Sequence, residues 1–180
     1  MKRLRLIAFT KFVLISLGLL MFMSLYKVLP YRLAFNLTNS EARGIYLLEF
    51  SNSLNYKLGN LVIVCVPDLE LARMSVKRGY LASGERCPYK TAYEIKHIKA
   101  IAHQTVTIVN DSVVIDQIKV KILSYDSFGR ELKSKLISQE IPQAHYFVMG
   151  QTANSFDSRY YGLVPSSFIL GFAYLIFSWE

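Results

Sequence analysis

No acidic residue stands before Pro30, although the 180-residue chain carries 13 of them. Five of its 21 basic residues do stand there: Lys2, Arg3, Arg5, Lys11 and Lys27. The formal charge of +8 is therefore concentrated at the N-terminus. From Pro30 onward 16 basic residues face 13 acidic ones, a net +3. That balance excludes a general basic patch for nucleic acid, and no nucleic-acid partner is expected. Charged residues are also scarce, at 19% against 52% hydrophobic, which excludes a disordered chain.

Other absences narrow the chemistry. His97, His103 and His145 match no common zinc spacing, and no dense cluster of cysteine or carboxylate joins them, so no metal is expected. There is no phosphate-cradling glycine loop. There is no G-x-S-x-G elbow to support a Ser-His-Asp triad. No cofactor is expected. At this length the chain has room for one ordinary domain, and a mean hydropathy of +0.27 points to a membrane segment besides.

The strictly uncharged run from Phe12 to Tyr26 is short of the roughly 20 residues that span a bilayer. Lys11 and Lys27 flank it and can snorkel, so a span over 6–29 is long enough. Pro30 ends the helix. A cleaved signal peptide needs a small-x-small site after the run, and Ser24-Leu25-Tyr26 does not provide one. The expectation is an uncleaved anchor. Its basic start keeps 1–5 in the cytoplasm and puts 30–180 on the far, periplasmic side of the inner membrane.

Beyond Pro30 most of the pattern reads as strands. Leu61 to Val66 is a β-branched run between Gly59 and Pro67. Thr105–Val109 and Val113–Ile115 flank a turn at Asn110-Asp-Ser112. Val120–Leu123 and Tyr146–Met149 read as strands, and Leu69–Lys77 as one short helix. The apolar tail Phe168–Trp179 is too short to span, so it reads as a buried strand, with lipid contact as the alternative. Cys65 and Cys87 are expected to pair on an oxidising side of the membrane, the alternative being two buried thiols.

Three polar segments carry the functional signal: Asn36-Leu-Thr-Asn-Ser-Glu-Ala-Arg-Gly-Ile-Tyr46, Gly79-Tyr-Leu-Ala-Ser-Gly-Glu-Arg-Cys-Pro88 followed by Tyr93-Glu-Ile-Lys-His-Ile-Lys-Ala100, and Gly150-Gln-Thr-Ala-Asn-Ser-Phe-Asp-Ser-Arg-Tyr-Tyr-Gly162. Alternation alone does not choose between Lys96 and Lys99 as a buried lysine. Lys96 shares its face with Ile98, Ala100 and Ala102, and Lys99 shares the other with Ile95 and Ile101.

In order and spacing these segments resemble the signal peptidase I superfamily, and within it the TraF-type pilin maturation peptidases of conjugative transfer. The ending, Val164-Pro165 then Ile169-Leu-Gly-Phe-Ala173, is similar to that branch's close. The resemblance implies a mostly β, signal-peptidase-like antiparallel sheet domain behind one N-terminal transmembrane helix. It makes Ser40 the nucleophile and Lys96 the general base. It gives Thr38 an oxyanion-hole hydroxyl, Ser155 the task of orienting the lysine, and Asp157 and Arg159 structural support.

The chemistry suits those residue types. A serine hydroxyl needs a base to become a nucleophile. Free lysine titrates near 10.4, and a base working near neutrality needs about 7–8, which burial in an apolar wall can supply. The Ser40 N–H and the Thr38 hydroxyl could meet the developing oxyanion. Ser40 lies ten residues past Pro30, at most about 35 Å along the chain from the membrane exit.

There are departures from the branch's pattern. Ala42 takes the place of a proline, His97 of an arginine, Gly59-Asn60 of a G-D pair, and Ala102-His-Gln104 of P-G-D. The expected activity is that of a serine endopeptidase processing an exported prepilin or preprotein. Membrane lipid and other conjugative transfer proteins are the remaining expected partners. The alternatives are a general signal peptidase I removing leader peptides and an idle scaffold in transfer-pore assembly.

Overall fold

The computed structural model describes residues 11–21, 24, 29–51 and 55–179. Positions 11–21 are helical. The anchor expected over 6–29 lies largely outside the described residues. Among those described, no helix is long and apolar enough to cross a membrane.

From residue 31 the chain is mostly antiparallel β. Its strands are β1 (Tyr31–Asn36), β2 (Gly44–Phe50), β3 (Leu61–Val64), β4 (Glu94–Ala100), β5 (Thr105–Val109), β6 (Ser112–Ile115), β7 (Ile118–Lys121), β8 (Gln139–Glu140), β9 (His145–Met149), β10 (Val164–Pro165) and β11 (Ile169–Ser178). Helix α1 is Leu69–Lys77 and the single turn α2 is Ser158–Tyr161. A seven-stranded sheet runs β1-β2-β11-β3-β4-β9-β10, and a four-stranded one runs β7-β6-β5-β8.

Local chemistry explains several of these elements. Asp68 caps α1 by accepting from the Leu71 N–H at 2.8 Å. Asn110 and Asp111 both take positive φ, as a two-residue hairpin between β5 and β6 requires. Gly44 opens β2 where a Cβ would stand 2.1 Å from the Phe177 carbonyl oxygen, so only glycine lets β11 come this close.

The main core lies between the two sheets. Val62, Val64, Ile98, Phe147 and Val148 of the larger meet Val106, Val113 and Ile115 of the smaller. Along β4 burial alternates strictly, with Glu94, Lys96, Ile98 and Ala100 inside. That parity separates the two lysines: Lys96 is buried and Lys99 is on the opposite face. The apolar wall expected to run on to Ala102 stops at Ala100, because the chain turns at 102–103.

The tail departs from a wholly buried strand. The first half of β11 is buried through Ala173, but Tyr174, Leu175, Ile176, Phe177 and Trp179 are exposed. The strand outruns the core that its first half covers.

Cys65 and Cys87 are joined, with both sulfurs inside the core. The bridge ties the end of β3 to the segment before β4. Replacing both by serine is expected to lower stability by about 3 kcal/mol, as loop closure over this separation predicts. Urea unfolding of the variant against the oxidised parent checks this.

Candidate active site

The loop between β1 and β2 carries Thr38 and Ser40, and Asn36 shapes it. The Asn36 Nδ2 donates to the carbonyls of Thr38, Glu41 and Ala42 at 3.2, 3.0 and 3.0 Å. Its Oδ1 accepts from the Thr38 N–H at 3.1 Å and from the Thr38 hydroxyl at 2.7 Å. One amide thus stands in for the strand ladder that the loop lacks. The Tyr46 hydroxyl adds a bond to the Ala42 carbonyl at 2.6 Å.

A second anchor comes from the chain after β9. The Gln151 N–H donates to the Ser40 carbonyl at 2.7 Å. The approach is close because residue 150 is glycine. A Cβ there would lie 2.7 Å from the Ser40 carbonyl oxygen and 2.3 Å from the Ser155 Oγ. Gly150→Ala is therefore expected to displace the serine loop and lower kcat/KM by about 10- to 100-fold, since ångström-scale misplacement of reacting groups costs that much. Kinetics on the folded variant check it.

Lys96 projects from β4 into this region and is 1% exposed. Its Nζ donates to the Ser155 Oγ at 2.8 Å. The Ser40 hydroxyl is not hydrogen-bonded to Lys96 here. It meets the Thr38 hydroxyl at 3.0 Å instead. Since the Thr38 hydrogen is directed to Asn36, Ser40 is the donor in that contact. Unliganded sites often hold such bonds long and tighten them only around substrate. Acting as an oxyanion donor would require the Thr38 hydroxyl to rotate away from Asn36.

Ser155, Asp157 and Arg159 form one buried unit. Asp157 and Arg159 pair at 2.7 Å with both side chains fully buried. Asp157 accepts from the Gly150 N–H at 3.1 Å and from the Arg159 N–H at 3.1 Å, capping α2. Arg159 also donates to the carbonyls of Thr152, Ala153 and Ser155. The pair thereby fixes the turn that presents Ser155 to Lys96.

Three residues unassigned by sequence reasoning belong to this site. Glu94 precedes Lys96 by two on the same face, and its Oε1 lies 3.1 Å from the lysine Nζ. Burial drives the Glu94 carboxyl above its ordinary range, with the Lys96 charge opposing the rise. The wall around Lys96 is thus not wholly apolar. The same-face spacing of Glu94 and Lys96 was the available signal. Glu41, next to Ser40, is buried and its Oε2 lies 3.0 Å from the Nδ1 of His97. This contact links the serine loop to the lysine strand. It also gives His97 a task at the position where the resemblance expected arginine.

Thr38, Ser40, Lys96 and Ser155 line one cleft of about 840 Å³. Ala34, Phe35 and Asn36 of β1 border it, and β1 is an edge strand of the larger sheet. A strand edge left unpaired by the other described strands, beside a serine and a buried amine, can hold an extended peptide. Among the described residues no cluster could hold a metal ion.

Residues 6–179 match the family described as signal peptidase, peptidase S26. The chain belongs to that family. Peptidase S26 membership supports a serine peptidase in general terms. The conjugal transfer protein TraF of Agrobacterium fabrum is 34% identical over 148 residues, covering 81% of this chain and 82% of that one. A probable conjugal transfer protein TraF of Sinorhizobium fredii is 34% identical over 141 residues, covering 77% and 73%. A signal peptidase I from Enterococcus faecalis aligns at 16% identity over 66% of this chain and 96% of that one. Its TM-score of 0.35 is too loose to add to the peptidase S26 assignment.

Proposed function

We propose that this peptidase S26 member is a membrane-anchored serine endopeptidase with a Ser40–Lys96 dyad, and that it matures an exported pilin-type subunit of a conjugative transfer system. The observation that carries the reading is the buried Lys96 amine, held by Ser155 in the same cleft as Ser40. The likeness to TraF proteins supports the transfer-system setting.

In the proposed reaction an extended segment of the precursor lies along β1, the edge strand that borders the cleft. Neutral Lys96 accepts the Ser40 proton as Oγ attacks the scissile carbonyl. The Ser40 N–H meets the oxyanion, joined by the Thr38 hydroxyl once it has turned. Lys96 then passes its proton to the leaving amine. Attack on the Ser40 ester by water, with Lys96 again as base, releases the product. Attack by an amine of the same pilin chain would instead close a ring.

The anchor over 6–29, with the catalytic domain periplasmic, is part of the proposal. The exposed apolar residues of β1 (Leu33, Phe35) and of the β11 end (Tyr174 to Phe177) support a domain resting against lipid. The test is co-expression with the pilin precursor of the host transfer system, followed by intact-mass spectrometry. A shortened subunit is expected with this protein and not without it, and a further loss of one water marks a ring. Unchanged precursor in both would contradict the reading.

A further inference from the structure

We infer that Glu94 is a positioning residue that holds Lys96 in its charged form and so sets the pH above which the dyad works. This rests on the Ser40–Lys96 reading proposed above. Glu94 and Lys96 alternate inward from one strand, and their charged atoms lie 3.1 Å apart with both side chains nearly sealed from water. Burial favours the neutral Glu94 acid and the Lys96 charge opposes that rise; as a carboxylate this close, Glu94 in turn favours the ammonium, whereas a general base must be the neutral amine. Ser155, the other partner of the Lys96 Nζ, accepts its hydrogen bond at 2.8 Å and carries no charge of its own.

The surroundings leave Glu94 as the group that exerts this control. Opposite it, β3 offers only Val62 and Val64, in register with Lys96 and Glu94. On the far side of β4, β9 sets Val148 opposite Ile98, the same-face neighbour of Lys96, while Met149 pairs with His97 on the other face. From α2 the Tyr161 hydroxyl faces the Glu94 carboxylate, and burial and Glu94 together keep that phenol protonated. Asp157 is the remaining acid nearby, and its charge is matched by Arg159 at 2.7 Å. Removing the Glu94 charge therefore removes the one unmatched counter-charge of the lysine.

The experiment is a pH profile of kcat/KM for the full chain in detergent, using a peptide substrate with small residues before the cut. Parent, E94Q and E94M are compared, with S40A and K96A as controls. The acid limb is expected to move to lower pH by about 1–3 units in E94Q and in E94M, the range by which an opposite charge at this distance displaces a titration. One unit below the parent's limb, both variants should then be about tenfold faster than the parent. A limb that stays in place or moves to higher pH overturns the inference. So does failure of both variants to fold while E94D folds, which would make the role structural. If S40A or K96A retains full activity, the dyad reading itself has failed. If those controls are inactive and the limb does not move, only the role of Glu94 has failed.

Discussion

Arg159→Met is expected to destabilise the domain by about 3–5 kcal/mol. The guanidinium is fully buried, pairs with Asp157 and donates to three backbone carbonyls of the turn that carries Ser155. Methionine fills much of the space and supplies none of those donors. It also leaves the Asp157 carboxylate buried without its counter-charge. Breaking a buried pair from one side costs about 3–5 kcal/mol. Domains of this size have about 5–15 kcal/mol in total, so the loss takes a large share. The check is urea unfolding of Arg159→Met against the parent, followed by circular dichroism. A shift in stability under about 1 kcal/mol would show that the turn holds without the pair.

Lys96→Ala is expected to lower kcat/KM by about 10³- to 10⁴-fold, and Lys99→Ala to leave it within a few-fold of the parent. The contrast follows from the alternation of β4. Lys96 faces Ser155 in the cleft, and Lys99 is on the opposite face. Ser40→Ala should be as damaging as Lys96→Ala. The double variant should be no worse than either, because a nucleophile without its base and a base without its nucleophile fail at the same step. Kinetics on the parent and the four purified variants, with folding checked by circular dichroism, test this. Equal losses for Lys96→Ala and Lys99→Ala would point to a general charge effect.

The same strand shows how far residues alone can be read. Alternation marks β4 as a strand, but both of its faces carry isoleucines, so periodicity could not say which face meets the core. Packing against the second sheet decides it, and that is a property of the whole fold. The turn at Asn110 and Asp111 and the short helix Leu69–Lys77 were legible because their chemistry is local. The β11 tail was not legible in full, since its apolarity is the same whether the partner is core or not. Glu41 and His97 meet at 3.0 Å across 56 positions of sequence, and no local pattern signals such a contact. Glu94 was the nearer miss. An acid two residues before a buried lysine on a strand shares its face, and the pair could have been read together.

The most direct test of the central claim is covalent. The purified protein would be mixed with a peptide ester ending in small residues, quenched in acid within its first turnover, digested and sequenced by mass spectrometry. Ester substrates acylate fast enough for a serine peptidase to accumulate acyl-enzyme. The account predicts one acyl adduct, on Ser40, formed faster as pH rises and absent from Ser40→Ala and Lys96→Ala. Steady turnover with the adduct on another residue, or with Ser40→Ala still acylated, would contradict it.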